Sequence, residues 1–473
     1  IYIYIYLKTL MATLATDNNP YASTTSVPTT TANDDNNNNM SEVNMENNNT
    51  NSAPVVQARK VPAKTEQGKI LSITVSDPVK QGDGLKAFIS YKINTKTDLP
   101  EFDMSQFSVI RRYSDFVWLI SQLTRDFKGY IIPPLPEKSV VGRFTPSFIE
   151  TRRRALEHCL NRIANHSVLR KSDHFKAFLE AKDDGLLIQK TAAKQEANSK
   201  SKGFFGWLTD TATSTLNNVR GSVKLERTQD DVKFDEIAQY IATLEPQLQS
   251  VHRQTTGVIK RELDLGTSLF DFGLSFTLMG QADNGVTLRA ALTKMGHTAD
   301  SLSVLAKETA DKECESFEEQ LKDYIRVVMS VKVAIGQRNE ALNAYLLAKS
   351  NHESRVDAHQ RLVGVPGKED KAQQAMDAVV EAQSTEEKKK REFHEVQQTL
   401  FKEFDRFKQE KAEDFKTMMI AYTKLRIEHC KAEEAEWKKI LPVLDNIKND
   451  ETNVYGNSSG KPDADEDVTG DSI

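Results

Sequence analysis

Arg111-Arg112-Tyr113-Ser114-Asp115-Phe116-Val117-Trp118-Leu119 decides how the first half of this chain is read. The pair of guanidiniums and the aromatic ring follow an apolar run containing Phe107 and Val109, which reads as a strand, while Ser114 and Asp115 are residue types that start helices. Beyond them Phe116, Leu119, Ile120 and Leu123 recur at helical steps. A strand that stops where a helix begins leaves basic side chains beside free backbone N–H groups, and both attract anions. On this stretch alone a solvated strand edge remains the alternative.

Upstream, Ile70-Leu71-Ser72-Ile73-Thr74-Val75 alternates enough to be a strand, which Asp77-Pro78 is expected to end before Gly82-Asp83-Gly84 turns the chain. Phe88 to Ile93 and Phe107 to Ile110 supply two further strands of a small antiparallel sheet. Downstream, Ile131-Ile132-Pro133-Pro134-Leu135-Pro136 must run extended, because proline fixes φ and biases the preceding residue away from helix. Phe148, Leu156, Leu160 and Ile163 then trace a helix, and Phe175, Phe178 and Leu179 a shorter one that closes the unit near Ala181.

With Pro133-Pro134-Leu135-Pro136-Glu137-Lys138 and Arg152-Arg153-Arg154-Ala155-Leu156 following in order, the run resembles the PX domain, the phosphoinositide-binding module of sorting nexins. The resemblance implies an α+β domain over residues 67–182. It makes Arg112 the ligand of an inositol 3-phosphate, Tyr113 the ring stacked on the inositol, Lys138 the holder of the 1-phosphate and Arg152 the partner of the free 4- and 5-hydroxyls. That set favours phosphatidylinositol 3-phosphate over bisphosphates and leaves the choice among 3-phosphorylated phosphoinositides open. It also makes the proline arm one lip of the pocket, with Val140, Val141 and Phe144 available to enter the bilayer interface. Arg111, Arg153 and Arg154 receive no assignment and are expected to be solvated or generally membrane-facing charges.

The chain of 473 residues has room for two or three domains, and its net charge of −5 argues against a general nucleic-acid binder. Three well-separated cysteines, Cys159, Cys314 and Cys430, speak against a disulfide framework or zinc site and fit a reducing, cytoplasmic setting. No apolar run of about 18 residues exists, so any membrane contact is expected at a surface. No motif for a metal or cofactor stands out, and Gly456-Asn457-Ser458-Ser459-Gly460 matches a nucleophile elbow only in a polar tail with no strand before it. The reading is therefore of a non-enzyme. Residues 1–66 read as a disordered Asn/Thr-rich tail, with Ile1-Tyr2-Ile3-Tyr4-Ile5-Tyr6-Leu7 an upstream extension and Met11 or Met40 the start, and residues 449–473 as a disordered acidic tail.

A linker over 183–202 leads to an amphipathic segment over 203–221, where Phe204, Phe205, Trp207 and Leu208 stand out from polar neighbours. Its apolar face either packs on the next domain or lies in the bilayer interface as a wedge. From 228 to 448 the chain is helical in composition. Phe234, Ile237, Ile241, Leu244, Leu248 and Val251 form a heptad seam, and a second helix from about 286 holds the rhythm through Cys314, Phe317, Leu321, Tyr324, Val328, Val331, Ile335, Leu342 and Tyr345, with Arg338 a polar interruption. Breaks fall at Gly280 to Gly285 and at Gly364-Val365-Pro366-Gly367, leaving three long helices. In the third, Phe393, Phe404 and Phe415 recur every eleven residues, as do Val396, Phe407 and Met418, a period that opposes left-handed supercoiling. Pro246 should bend the first.

Helices this long are too thin to bury themselves alone, and the arrangement resembles the BAR domain that follows PX in one class of sorting nexins, with Arg406 to Lys416 similar to its third helix. The resemblance implies a curved antiparallel dimer with Lys388, Lys389, Lys390 and Arg391 as candidates for a concave membrane face. The whole is most like the retromer-associated class of sorting nexins 1 and 2. It implies a homodimer or heterodimer with another PX-BAR sorting nexin, peripheral on the cytosolic face of early endosomes. The same resemblance implies that it binds phosphatidylinositol 3-phosphate membranes there, senses or generates curvature and works with the retromer complex in endosome-to-Golgi transport. The rival reading is a coiled-coil scaffold or tether whose PX-like head docks a protein.

Overall fold

A computed structural model describes residues 63–64, 70–84, 87–138, 142–182, 185–186 and 229–447. The expectations for Val140 and Val141, for the segment with Phe204, Phe205, Trp207 and Leu208, for Gly456 to Gly460 and for most of both tails and the linker lie outside these residues.

The sheet holds β1 (Ala63–Lys64), β2 (Ile70–Gln81), β3 (Phe88–Thr97) and β4 (Gln106–Arg112) in sequence order, all antiparallel. Two features differ from expectation. β1 falls inside the stretch assigned to a disordered tail; it has no apolar pattern of its own, and its place comes from pairing Ala63 with Leu71. β2 does not end at Asp77-Pro78. Asp77 takes a φ of 49°, a bulge between Ser76 and Val79 absorbs the proline, and pairing resumes to Gln81 opposite Phe88. A bulge is where a sheet tolerates a residue with no N–H to give.

Leu71, Ile73 and Val75 of β2 and Tyr91 and Ile93 of β3 bury one sheet face against α1 (Tyr113–Asp126), α2 (Pro146–Asn165) and α3 (Asp173–Glu180). Polar side chains fix α2 to the sheet: the Val75 N–H donates to Glu157 Oε2 at 2.9 Å, and Asn161 Nδ2 donates to the Ile73 carbonyl at 2.9 Å.

The helical half comprises α4 (Gln229–Ala282), α5 (Val286–Glu313), a π turn (Cys314–Glu318), α6 (Glu319–Gln360), α7 (Glu369–Lys438) and the short α8 (Leu441–Leu444). With α5 and α6 continuous through the π turn, these are the three long helices expected. Gly280 is not a breaker, however: it lies inside α4, and a Cβ there would stand 3.2 Å from the Arg289 carbonyl oxygen of α5. Gly273 brings the same helices closer still, its position for a Cβ being 2.8 Å from the Gly296 carbonyl oxygen.

The heptad positions from Phe234 to Val251 are buried, and so are Val396, Phe404, Phe407, Phe415 and Met418 of the eleven-residue pattern. In α6 the expected seam holds only as far as Val331. Ile335, Leu342 and Tyr345 are half-buried, whereas Gln337 and Arg338 are buried. Arg338 is not an interruption in the packing but part of it. Its guanidinium lies 4.0 Å from the centre of the Phe234 ring and donates to Gln397 Oε1 at 2.7 Å and to Asp231 Oδ1 at 3.1 Å.

Gln337 is buried because the sheet-bearing domain covers α6 there. Its amide oxygen accepts the Gly129 N–H at 2.9 Å and its amide nitrogen donates to the Thr124 carbonyl at 2.8 Å. Glu403 of α7 completes this joint, accepting from the Ile131 N–H at 3.2 Å and from His166 Nε2 at 3.0 Å. His166 has Nε2 free to donate because its Nδ1 accepts the N–H groups of Val168 and Leu169. Burial alone would push the Glu403 carboxyl up, but the hydrogen bonds from His166 and Arg406 outweigh it and hold the pKa at about 2.

Candidate functional site

Arg112 ends β4 and is at the same time the N-cap of α1. Asp115 sits three residues on and accepts the Arg112 backbone N–H at 2.8 Å, so the helix starts at Tyr113, ahead of the expected Ser114 and Asp115. The Arg112 side chain is 51% exposed, with Asp115 3.5 Å from its Nε and the Phe88 ring 5.4 Å away. Its outer guanidinium face is open to a ligand.

Arg152 arrives from the first turns of α2 and is held between two aromatic rings, 4.5 Å from the centre of Tyr113 and 4.3 Å from that of Phe148. Its Nη2 donates to the Glu137 carbonyl at 2.7 Å, but its buried Nε has no hydrogen-bond partner. Burial pushes the Arg152 pKa down; Tyr91 and Tyr113 oppose that shift and Arg143 adds to it. A guanidinium with an unused buried donor beside another cation is a site short of an acceptor.

Tyr113 turns one face to Arg152 and donates its hydroxyl to the Pro136 carbonyl at 2.5 Å. Burial, as the main cause, raises its pKa. Lys138 is exposed at the end of the arm. Arg112, Tyr113 and Arg152 therefore meet where β4, α1 and α2 converge, with the arm that carries Lys138 fastened to two of them. Phe148, read only as a helix residue, is the second ring around Arg152; the four-residue offset from Phe148 to Arg152 is ordinary helical spacing and carries no signal that singles it out.

The three unassigned arginines correct the expectation of solvated or membrane-facing charges. Arg111 is 1% exposed and binds the Phe178 and Ala181 carbonyls at the end of α3. Arg153 pairs with Glu150 at 2.7 Å and Glu157 at 3.2 Å and donates to the Val75 carbonyl. Arg154 pairs with Glu315 of the π turn at 2.8 Å. Side chains alternate along a strand, so Arg111 points inward for the same reason that Arg112 points out. Phe144 is half-buried between cations, with Arg143 4.8 Å and Lys80 5.0 Å from its ring centre. In the basic run Lys388, Lys390 and Arg391 are exposed, while Lys389 pairs with Glu392 at 2.7 Å.

A hydroxyl, imidazole and carboxylate do line up in the helical half, Thr309 with His429 Nδ1 at 2.9 Å and His429 Nε2 with Glu262 at 3.3 Å. Thr309 is 2% exposed among packed helices, out of reach of a substrate. Among the described residues no cluster of His, Cys, Asp and Glu has the arrangement to hold a metal ion, and no helix is long and apolar enough to cross a membrane.

Comparison with known proteins gives two family models in the same order as the domains. The PX domain model matches residues 99–182, and the model described as Vps5 C terminal like matches residues 208–443. Sorting nexin 1 of Arabidopsis thaliana is 32% identical over 391 residues, 81% of this chain and 95% of that protein. The chain is a sorting nexin. Sorting nexin-2 of Homo sapiens is 29% identical to this sorting nexin, over 83% of the chain and 76% of the relative. In fold, the sorting nexin resembles the SNX-BAR protein Mvp1, solved as a tetramer by cryo-EM, with a TM-score of 0.59 and 18% identity over 78% of this chain and 99% of that one. It thus combines a PX domain with a BAR-like helical region, the architecture of proteins of membrane-associated sorting.

Proposed function

We propose that this sorting nexin is a non-enzymatic, peripheral membrane protein that binds phosphatidylinositol 3-phosphate on the cytosolic face of early endosomes, and senses or generates curvature there in retromer-linked transport. In this reading Arg112 takes the 3-phosphate, Lys138 the 1-phosphate and Arg152 the free hydroxyls, while the Tyr113 ring lies against the inositol. One observation carries it. The unpartnered, buried Nε of Arg152, clamped between Tyr113 and Phe148, needs an acceptor that the protein itself does not provide.

The second part of the reading is a dimer through the helical half. Leu263, Phe270, Leu274 and Leu278 of α4 are between 39% and 54% exposed and recur at seven- and four-residue steps, one face of the helix. A contiguous apolar face of this kind supports pairing with a second copy or with another PX-BAR sorting nexin. Two headgroup grips on one body then reinforce each other through effective concentration. The basic residues Lys388, Lys390 and Arg391 add attraction of about 1 kcal/mol each at an anionic surface.

Liposome flotation tests the headgroup assignment. Arg112→Ala is expected to abolish binding that depends on phosphatidylinositol 3-phosphate, and unchanged binding at physiological salt refutes the assignment. Flotation across vesicle diameters tests the curvature reading, which fails if flat and tightly curved bilayers are held equally.

A further inference from the structure

The arm over residues 133–138 contains Pro133, Pro134 and Pro136, which have no N–H, so the arm is held chiefly through its carbonyls. Three side chains take one each. Cys159 Sγ lies 3.6 Å from the Pro133 oxygen, the Tyr113 hydroxyl 2.5 Å from that of Pro136 and Arg152 Nη2 2.7 Å from that of Glu137. Lys138 follows directly on the last anchored peptide, and its own side chain is exposed. Its position is therefore set by the backbone that Tyr113 and Arg152 fasten.

We infer that the Tyr113 hydroxyl and Arg152 Nη2 form a latch that positions Lys138, so that the grip on a phosphate at the 1-position exists only while the arm's carbonyls are held. The latch rests on the headgroup reading above and deepens it. Tyr113 and Arg152 lie against each other, so the latch acts as one unit. An ammonium on a four-carbon stem gains little from a single phosphate unless its base is fixed, because the ordering entropy of the chain offsets the contact. The two carbonyl anchors remove that freedom before the ligand arrives.

The test is calorimetric titration of the full chain with two soluble probes, inositol 1,3-bisphosphate and inositol 3-phosphate, which differ only in the phosphate assigned to Lys138. Tyr113→Phe keeps the ring and removes the hydroxyl. It is expected to weaken the bisphosphate about fivefold more than it weakens the monophosphate, the effect of one neutral hydrogen bond on the 1-phosphate grip. In a Lys138→Ala background it should cost nothing further. General damage to the fold would lower affinity for both probes alike, and that outcome overturns the latch, as do losses from Tyr113→Phe and Lys138→Ala that multiply independently. If Arg112→Ala leaves both affinities at the wild-type level, the headgroup reading itself is wrong and the latch falls with it.

Discussion

Gly129 lies so close to Val396 that a Cβ on its α-carbon would stand 2.7 Å from the Val396 carbonyl oxygen. The glycine also has a φ of +82°, where any other residue is strained. Its N–H meets Gln337 of α6 in the same place, so backbone of the PX domain is seated directly on two helices of the BAR-like region. Gly129→Ala is expected to open this joint at a cost of about 2 kcal/mol or more. Scanning calorimetry is the check: one transition for the wild type should broaden or split in the variant, and an unaltered trace would show that the seat yields freely.

Glu403 gives the joint a pH dependence. Its carboxyl is held below the ordinary value of 4.5, at about 2, so the stability it contributes is fully present above pH 4.5 and is lost as pH falls toward 2. The contribution is up to about 3 kcal/mol. Glu403→Gln should remove this limb of the stability–pH curve, measured by denaturant unfolding between pH 6 and pH 3, while lowering stability at neutral pH. Identical acid limbs in the two proteins would mean that other carboxyls govern it.

The close approach of α4 and α5 makes Gly273→Ala destabilising, by about 1–3 kcal/mol as for other overpacked sites, because its new methyl meets backbone of Gly296 rather than a side chain that can turn away. Urea midpoints report the loss. A neutral result would indicate that the two helices slide apart at little cost.

Leu274→Glu combined with Leu278→Glu should leave the stability of a single chain within about 0.5 kcal/mol, since both residues are exposed. The pair is expected to shift sedimentation equilibrium from dimer to monomer. A variant that stays dimeric would place the contact on another face.

Patterns that repeat were legible in the sequence. The buried heptad from Phe234 to Val251 and the eleven-residue series through Phe404 and Phe415 follow from periodicity, the extended arm from its prolines and the β4–α1 corner from the helix-starting residues that follow the strand. What could not be read was mostly tertiary. Gln337 and Glu403 are ordinary polar helix residues until the PX domain arrives over them, and nothing in their neighbours marks Thr124, Gly129, Ile131 and His166 as partners. Arg111 differs from Arg112 by one position and by complete burial, a difference that strand alternation contains but that an anion-seeking reading of the pair passes over. Arg338 was visible as an exception to the seam; that Phe234, Gln397 and Asp231 enclose it was not.

The π turn at Cys314–Glu318 has a consequence for how this helical half tolerates change in length. Dropping one residue from the middle of α7 would rotate everything beyond it by about 100°, carrying Phe404, Phe407 and Phe415 off their partners. A π turn already contains the surplus residue, so a deletion there relaxes the chain to ordinary α-helix and leaves the faces on both sides in phase. Of all points along the helix from Val286 to Gln360, that turn is where the gene can shorten without scrambling the core.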